Sequence, residues 1–178
     1  MKRTGLFLML LGLSCSAAWA QDRIPVEIQK NRVYINLLQP SILYEAGLND
    51  RLSLALGTGI TFIYGENDYG AINPFLNASL RNYYPRKRVK KELDMNSGNY
   101  VAAMAGYTFG AISEWNEELD PQNMSNSGYI GGIWGIQRNY MSGIHLGLSL
   151  GGGVSMGKNI DNVMFAPLGG FEFGFVIK

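Results

Sequence analysis

The sequence is poor in cysteine, histidine and charged residues. Of its 178 residues, one is cysteine, one is histidine and 16% are charged. Cys15 lies within the first twenty residues, so the rest of the chain has no thiol, disulfide or cysteine metal site. A single histidine, His145, excludes a histidine-rich metal site. The net charge of +1 excludes the strongly basic surface that nucleic-acid binding requires, and no cofactor is predicted.

Long apolar runs are also missing. The longest candidate, Leu6–Leu13, follows Lys2 and Arg3 and precedes Ala18-Trp19-Ala20, which is the order of a secretory signal peptide. It is far shorter than the roughly 20 residues of a membrane-spanning helix. We therefore expect a signal peptide over residues 1–20 and one exported domain over residues 21–178. Cleavage before Cys15, as in a lipoprotein, is the alternative, although Gly12 stands where such signals usually have an aliphatic residue.

What the sequence has in abundance is glycine and alternation of period two. Its 23 glycines argue against long helices, because each interior glycine costs about 1 kcal/mol relative to alanine. In Leu52–Tyr64 and Ile144–Met156, large apolar residues alternate with Gly, Ala, Ser and other small residues. The alternation predicts seven long strands: Val33–Ala46, Leu52–Tyr64, Ile72–Tyr84, Tyr100–Ser113, Tyr129–Tyr140, Ile144–Met156 and Val163–Ile177.

These strands are typical of an all-β, antiparallel, up-and-down transmembrane barrel of about eight strands. In a soluble sandwich, which is the alternative, the polar face usually carries Lys, Glu and Thr, whereas here it carries Gly, Ala and Ser. Aromatic residues near the strand ends predict an interfacial girdle. They are Tyr64, Tyr83, Tyr84, Tyr100, Tyr129, Tyr140 and Phe175.

The direction of the strands follows if the C-terminus is periplasmic, as is usual for such barrels. The short turns Gly47–Asp50 and Met141–Gly143 are then periplasmic, and the longer segment Trp115–Ser127 lies outside the cell. An even number of strands requires an eighth one before Val33. We predict it at Ile24–Lys30.

Polar residues on the inward face form the candidate site. They are Glu45, Arg81, Gln137, His145 and Glu172, all in the periplasmic half of the predicted barrel. An eight-stranded barrel is just wide enough for side chains to fill it, so a paired polar plug is the first interpretation and a gated conduit the second. A serine hydrolase acting on lipid would need His145 with Ser149 or Ser155 on the same face and Glu172 on the next strand. This histidine, however, begins its strand at the end away from the outer leaflet. No catalytic residue is therefore predicted.

The strongest charge feature is a basic segment of five residues, Arg86, Lys87, Arg88, Lys90 and Lys91. Such a run is either a solvated loop or a contact for lipid phosphates, lipopolysaccharide or an anionic cell-wall partner. An acidic segment with Glu117, Glu118 and Asp120 leaves carboxylate binding of calcium open.

Four segments resemble those of small, largely uncharacterised outer-membrane β-barrel proteins of Bacteroidota-type Gram-negative bacteria. They are Asn36–Ser41, Asn82–Arg88, Asn96–Tyr100 and Trp134–Tyr140. The resemblance implies an OmpA/OmpX-like barrel and brings no catalytic residues. We expect a monomeric outer-membrane barrel with a filled polar interior and a structural, adhesive or surface-interaction role. The alternative is a narrow porin-like conduit, and an outer-leaflet lipid enzyme is a third, weaker possibility.

Overall fold

The structure, a computed structural model, describes residues 26–64, 70–84, 93–115, 126–157 and 163–177. The predicted signal peptide, the basic segment and the acidic segment lie outside these residues. The described part contains strands and connecting turns and no helix. Its nine strands are β1 Asn31–Asn36, β2 Ser41–Gly47, β3 Leu52–Tyr64, β4 Gly70–Tyr84, β5 Gly98–Thr108, β6 Ser113–Trp115, β7 Ser127–Asn139, β8 Ile144–Met156 and β9 Val163–Ile177.

Eight of the strands form one closed antiparallel ring. Successive strands pair from β1 to β5 and from β5 through β7 to β9, and pairing of β9 with β1 closes the ring. The short strand β6 continues the pairing with β4 beyond the end of β5, with Ser113 opposite Ile72. The eight-stranded, up-and-down barrel predicted from the alternation is thereby confirmed. Closure removes the unpaired sheet edges that an open sheet would expose.

The first strand is not where the sequence predicted it. The segment Val33–Ala46 is not one strand but a hairpin of β1 and β2, joined by the turn at residues 37–40, and the described residues of Ile24–Lys30 form no strand. Pro40 lies in this turn. Because proline lacks the N–H that a continuous ladder requires, it marks a reversal of the chain more readily than an interruption within one strand. The hairpin itself supplies the eighth strand.

The connections define two ends of the barrel. One end holds the turns at residues 48–51 and 140–143, the start of β1 and the end of β9, and we call it the near end. The opposite end holds the turn at residues 37–40, and we call it the far end. The two short turns predicted to share an end do so. The thirteen residues between β4 and β5 join two near-end strand ends, so chain length between strands distinguishes the two ends less clearly than the prediction requires.

Alternation along each strand separates an inner from an outer face. Register places Arg81 beside Ser53 on one side and beside Ala102 on the other, and all three side chains face inward. The prediction of an aromatic girdle is wrong for Tyr83, Tyr100 and Tyr129, which face the inside of the barrel. Tyr83 and Tyr100 are buried there with their ring centres 5.4 Å apart. Tyr83 shares the parity of Arg81 on β4 rather than that of the outward Tyr84, and Tyr100 is the direct partner of Tyr83 on β5.

Glycines make room for these inner aromatic rings. A Cβ atom on Gly135 would lie 2.3 Å from Cζ of Tyr100, and one on Gly106 would lie 2.3 Å from Cζ of Tyr129. Each glycine is the direct cross-strand neighbour of the tyrosine that covers it. The small residues of the inner face are thus the space into which the large inner side chains fold, since an eight-stranded barrel has little room to spare.

Candidate functional site

All five predicted inner residues face the inside of the near-end half of the barrel. They come from five strands: Glu45 from β2, Arg81 from β4, Gln137 from β7, His145 from β8 and Glu172 from β9. The first four are buried, and Glu172 is partly buried. The sequence prediction missed Tyr34, Ser53 and Asn139, which are buried among them and bond to them.

The carboxylate of Glu45 is the centre of this cluster. Its Oε1 atom accepts hydrogen bonds from the hydroxyls of Ser53 at 2.5 Å and Tyr83 at 2.8 Å. Its Oε2 atom accepts from the Tyr34 hydroxyl at 2.9 Å and from Nε2 of Gln137 at 3.1 Å. Four donors around one fully buried carboxylate replace the water that it loses on folding, which is the condition for keeping a charge in a protein interior.

Gln137 connects this carboxylate to the buried cation Arg81. Nη1 of Arg81 donates to Oε1 of Gln137 at 2.7 Å, and the amide nitrogen of Gln137 donates on to Glu45. Nε of Arg81 donates to the Ser79 hydroxyl at 3.2 Å. The guanidinium lies 4.9 Å from the ring centre of Tyr100, within the range of a cation–π contact. The opposite charges are therefore joined through an amide rather than by direct contact.

His145 links the cluster to β9. Its ring lies against that of Tyr34, with 4.5 Å between the ring centres. Nδ1 lies 2.7 Å from Oδ1 of Asn139, and Nε2 lies 3.1 Å from Oε2 of Glu172. Because Nδ2 of Asn139 donates to backbone carbonyls, its Oδ1 is the acceptor, and Nδ1 of His145 donates to it.

This geometry bears on the hydrolase alternative. Both ring nitrogens of His145 are engaged by Asn139 and Glu172, and neither Ser149 nor Ser155 hydrogen-bonds to the ring. A nucleophilic serine needs a base within hydrogen-bond reach. Within the described residues, His145 is therefore a member of the polar network, and no group of three or more His, Cys, Asp or Glu residues is arranged to hold a metal ion.

Two short segments close the near end, a feature that the sequence prediction missed. We call residues 26–30 and 93–97 together the clasp. The Asn96 N–H donates to the carbonyl of Glu27 at 2.8 Å, and its Oδ1 accepts from the backbone N–H of Gln29 at 2.7 Å. Val26 is buried against Tyr83 and Tyr100 inside the barrel. The clasp thus covers the inner cluster at the near end.

Side chains tie the clasp to the barrel wall. Arg32 on β1 forms an ion pair with Asp94 at 2.8 Å and also donates to Oε1 of Gln29 and to the carbonyl of Met95. Gln137 donates to the carbonyl of Asn96 at 2.9 Å. One residue, Gln137, therefore contacts the clasp, the buried carboxylate and the buried guanidinium.

The free space inside the barrel lies toward the far end. A cavity of about 60 Å³ is bordered by Asn36, Arg81, Ser149 and Glu172, and a second of about 210 Å³ is bordered by Gln39, Thr61, Thr108, Tyr129 and Leu168. The first holds a few water-sized molecules and no more. Arg81 and Glu172 border the smaller cavity, and the cluster and the clasp lie on their near-end side.

The outer surface is apolar, in contrast to the polar interior. Large apolar side chains point outward from most of the ring strands, with Leu150 62% exposed and Phe165 78% exposed. The charged residues of the ring strands are Arg32, Glu45, Arg81, Arg138 and Glu172, and only Arg138 points outward. No helix among the described residues is long and apolar enough to span a bilayer.

Comparisons with protein-family models, with curated protein sequences and with solved structures give no match to this chain. The likeness of its four segments to small outer-membrane barrels therefore stays an expectation. The function has to be argued from the closed barrel, its apolar outer surface and its polar interior.

Proposed function

We propose that this chain is an outer-membrane β-barrel protein with a structural, adhesive or surface-interaction role and a filled interior. The observation that carries the proposal is the reversed polarity of the closed ring. Four of its five charged strand residues face inward, and exposed Leu, Ile, Val and Phe side chains cover the outside. A water-soluble barrel would bury its apolar side chains within, and large exposed apolar surfaces indicate contact with lipid or protein.

The length of the strands supports this proposal. β8 has thirteen residues, and at about 3.3 Å per residue and a tilt of about 40° it extends roughly 33 Å along the barrel axis. The apolar band of outer-membrane barrels is about 25 Å tall. Several ring strands are thus long enough to cross the membrane and to reach the headgroups on both sides.

Membrane fractionation tests the proposal. After expression in a Gram-negative host, the protein should stay in the outer-membrane pellet through carbonate and urea washes. Its band should also move in detergent gels when the sample is boiled, because a closed barrel resists detergent until heated. An unshifted band in the soluble periplasmic fraction would contradict the proposal and would favour a soluble barrel with a binding cleft.

The filled interior argues against the narrow-pore alternative. On the near-end side of the cavities, hydrogen bonds of 2.7–3.1 Å join Arg81 to Gln137 and Gln137 to Glu45 across the barrel. Val26 of the clasp packs against Tyr83 and Tyr100 at the same end. An ion that moved between Arg81, Gln137 and Glu45 would have to break the hydrogen bonds that join them.

We therefore expect purified protein in planar bilayers to give no stable ohmic openings at moderate voltage. A heat-modifiable preparation from the same host, containing a known porin, serves as the positive control. Regular openings that disappear on R81M or E172Q substitution would contradict a filled interior and would restore the conduit as the favoured function.

A further inference from the structure

Arg138 is the only charged residue at an outward position of the eight ring strands that the structure describes. It is the second-last residue of β7 and lies at the near end, two residues after the outward Ile136. An outward charge within the apolar band costs free energy, whereas one at the level of the headgroups does not. Its position therefore marks where the lipid surface meets water at this end.

The guanidinium of Arg138 is held in place. Nη1 donates to the carbonyl of Gln137 at 2.7 Å, and Nη2 donates to Oδ1 of Asn99 on the neighbouring strand β5 at 2.8 Å. Arginine has five N–H donors, so three remain for a ligand. The side chain is partly buried rather than free to turn in solvent. It is thus an oriented cation, which loses little freedom on binding.

Two aromatic side chains, Trp134 and Tyr84, lie on the same outer surface. Trp134, four residues earlier on β7, donates its indole N–H to the hydroxyl of Tyr84 on β4. Tyr84 is the cross-strand partner of Asn99, the residue that holds Arg138. Tryptophan and tyrosine favour the level of lipid headgroups because one side of the ring is apolar and the other polar.

The chain segment that follows Tyr84 is rich in basic residues. Tyr84 ends β4, and the chain positions that connect it to Leu93 include the five basic residues of the basic segment. Both flanks of that segment are at the near end, since Leu93 forms a bridge with Tyr140. A cluster of basic residues beside an apolar surface attracts anionic lipids, by about 1 kcal/mol per residue.

We propose that Arg138, with Asn99, Tyr84 and Trp134, forms a site for the phosphate of an anionic phospholipid in the near-end leaflet. The proposal rests on the proposed function, because it requires the barrel to be in a bilayer. The free N–H groups of Arg138 donate to the phosphate oxygens, and the Trp134 and Tyr84 rings contact the glycerol and upper acyl chain. The bound lipid would fix the depth of the barrel at this end.

Tryptophan fluorescence gives a direct test. In a W19F/W115F background, Trp134 is the single tryptophan and lies within the proposed site. The full chain is refolded into phosphatidylcholine vesicles with one fifth phosphatidylglycerol, and either lipid is brominated on its acyl chain. Per mole, brominated phosphatidylglycerol should quench the fluorescence of Trp134 about fivefold more strongly than brominated phosphatidylcholine does. This is the enrichment expected from about 1 kcal/mol of attraction.

Variants at the near end distinguish binding at Arg138 from nonspecific attraction of anionic lipid to the positive charges of this end. R138Q should clearly lower the quenching ratio, and R138K should retain part of what R138Q loses, because lysine keeps the charge and loses the fork of donors. R51Q is the matched control, since Arg51 is exposed in a near-end turn, and it should leave the ratio unchanged.

Two results would overturn the site while leaving the membrane proposal intact. The first is an unchanged ratio in R138Q together with its loss on neutralising the basic segment, which would assign the attraction to that segment alone. The second is a ratio of one in the unsubstituted barrel. Failure of the chain to insert into any vesicle, seen as the absence of a heat-shifted band, would overturn the proposed function and the site together.

Discussion

Replacing Arg81 with methionine is expected to lower the free energy of unfolding by about 3–5 kcal/mol, the usual cost of removing one member of a buried charged network. Methionine fills most of the volume, so the loss is mainly electrostatic. The substitution removes the donor to Gln137, and with it the buried cation that Gln137 connects to the carboxylate of Glu45. It also removes the cation–π contact with Tyr100.

The measurement is urea unfolding of the barrel in vesicles, followed by the fraction of heat-shifted band. E45Q alone should also destabilise the barrel, and the double variant E45Q/R81M should cost less than the sum of the two, because both charges are then gone. R51M is the control at an exposed arginine and should change stability by less than about 0.5 kcal/mol. An R81M variant as stable as the R51M control would show that the interior network does not hold the barrel together.

The barrel could be predicted from the sequence because alternation of period two is a local property of each strand. In β3, β8 and β9 the alternation coincides with the observed ends of the strands, Leu52–Tyr64, Ile144–Met156 and Val163–Ile177. The same parity places Glu45, Arg81 and Glu172 on the inner face without reference to any neighbour. What parity cannot give is which inner residues bond, since these contacts depend on the register between strands.

Two errors of the sequence prediction have simple physical causes. A chain reversal at Leu37–Pro40 leaves the alternation on either side intact, so the alternation alone predicts Val33–Ala46 as one strand. Tyr83 and Tyr84 both lie at a strand end, yet adjacent residues of a strand point to opposite faces, and only Tyr84 is outward. Position along a strand predicts depth in the membrane, whereas parity decides the face.

The clasp could not be predicted because it has no periodic pattern. Its contacts join residues that are far apart in sequence, such as Gln29 with Asn96 and Arg32 with Asp94. Asn96 has a positive φ of 54°, a conformation that asparagine adopts more readily than most residues. The Asn-Ser-Gly run at residues 96–98 indicates a turn, but only the folded barrel shows that the turn closes its near end.

The outward position Leu150 offers the largest contrast between a membrane barrel and a soluble one. It is the central residue of β8 and is 62% exposed. In water, replacing an exposed leucine with arginine changes stability by less than about 0.5 kcal/mol. At the middle of a bilayer, an arginine on the lipid face costs about 2–4 kcal/mol, and near the interface about 0–1 kcal/mol.

The most direct test of a lipid-facing outer surface is therefore the stability of L150R and M156R, compared with the unsubstituted barrel in the same vesicles. Met156 is the last residue of β8 and is the matched control, since it is outward on the same strand at the far end. Our account predicts that L150R lowers the free energy of unfolding by about 2–4 kcal/mol and M156R by no more than about 1 kcal/mol. Equal and negligible losses at both positions would show that the outer surface faces water, and would contradict the account.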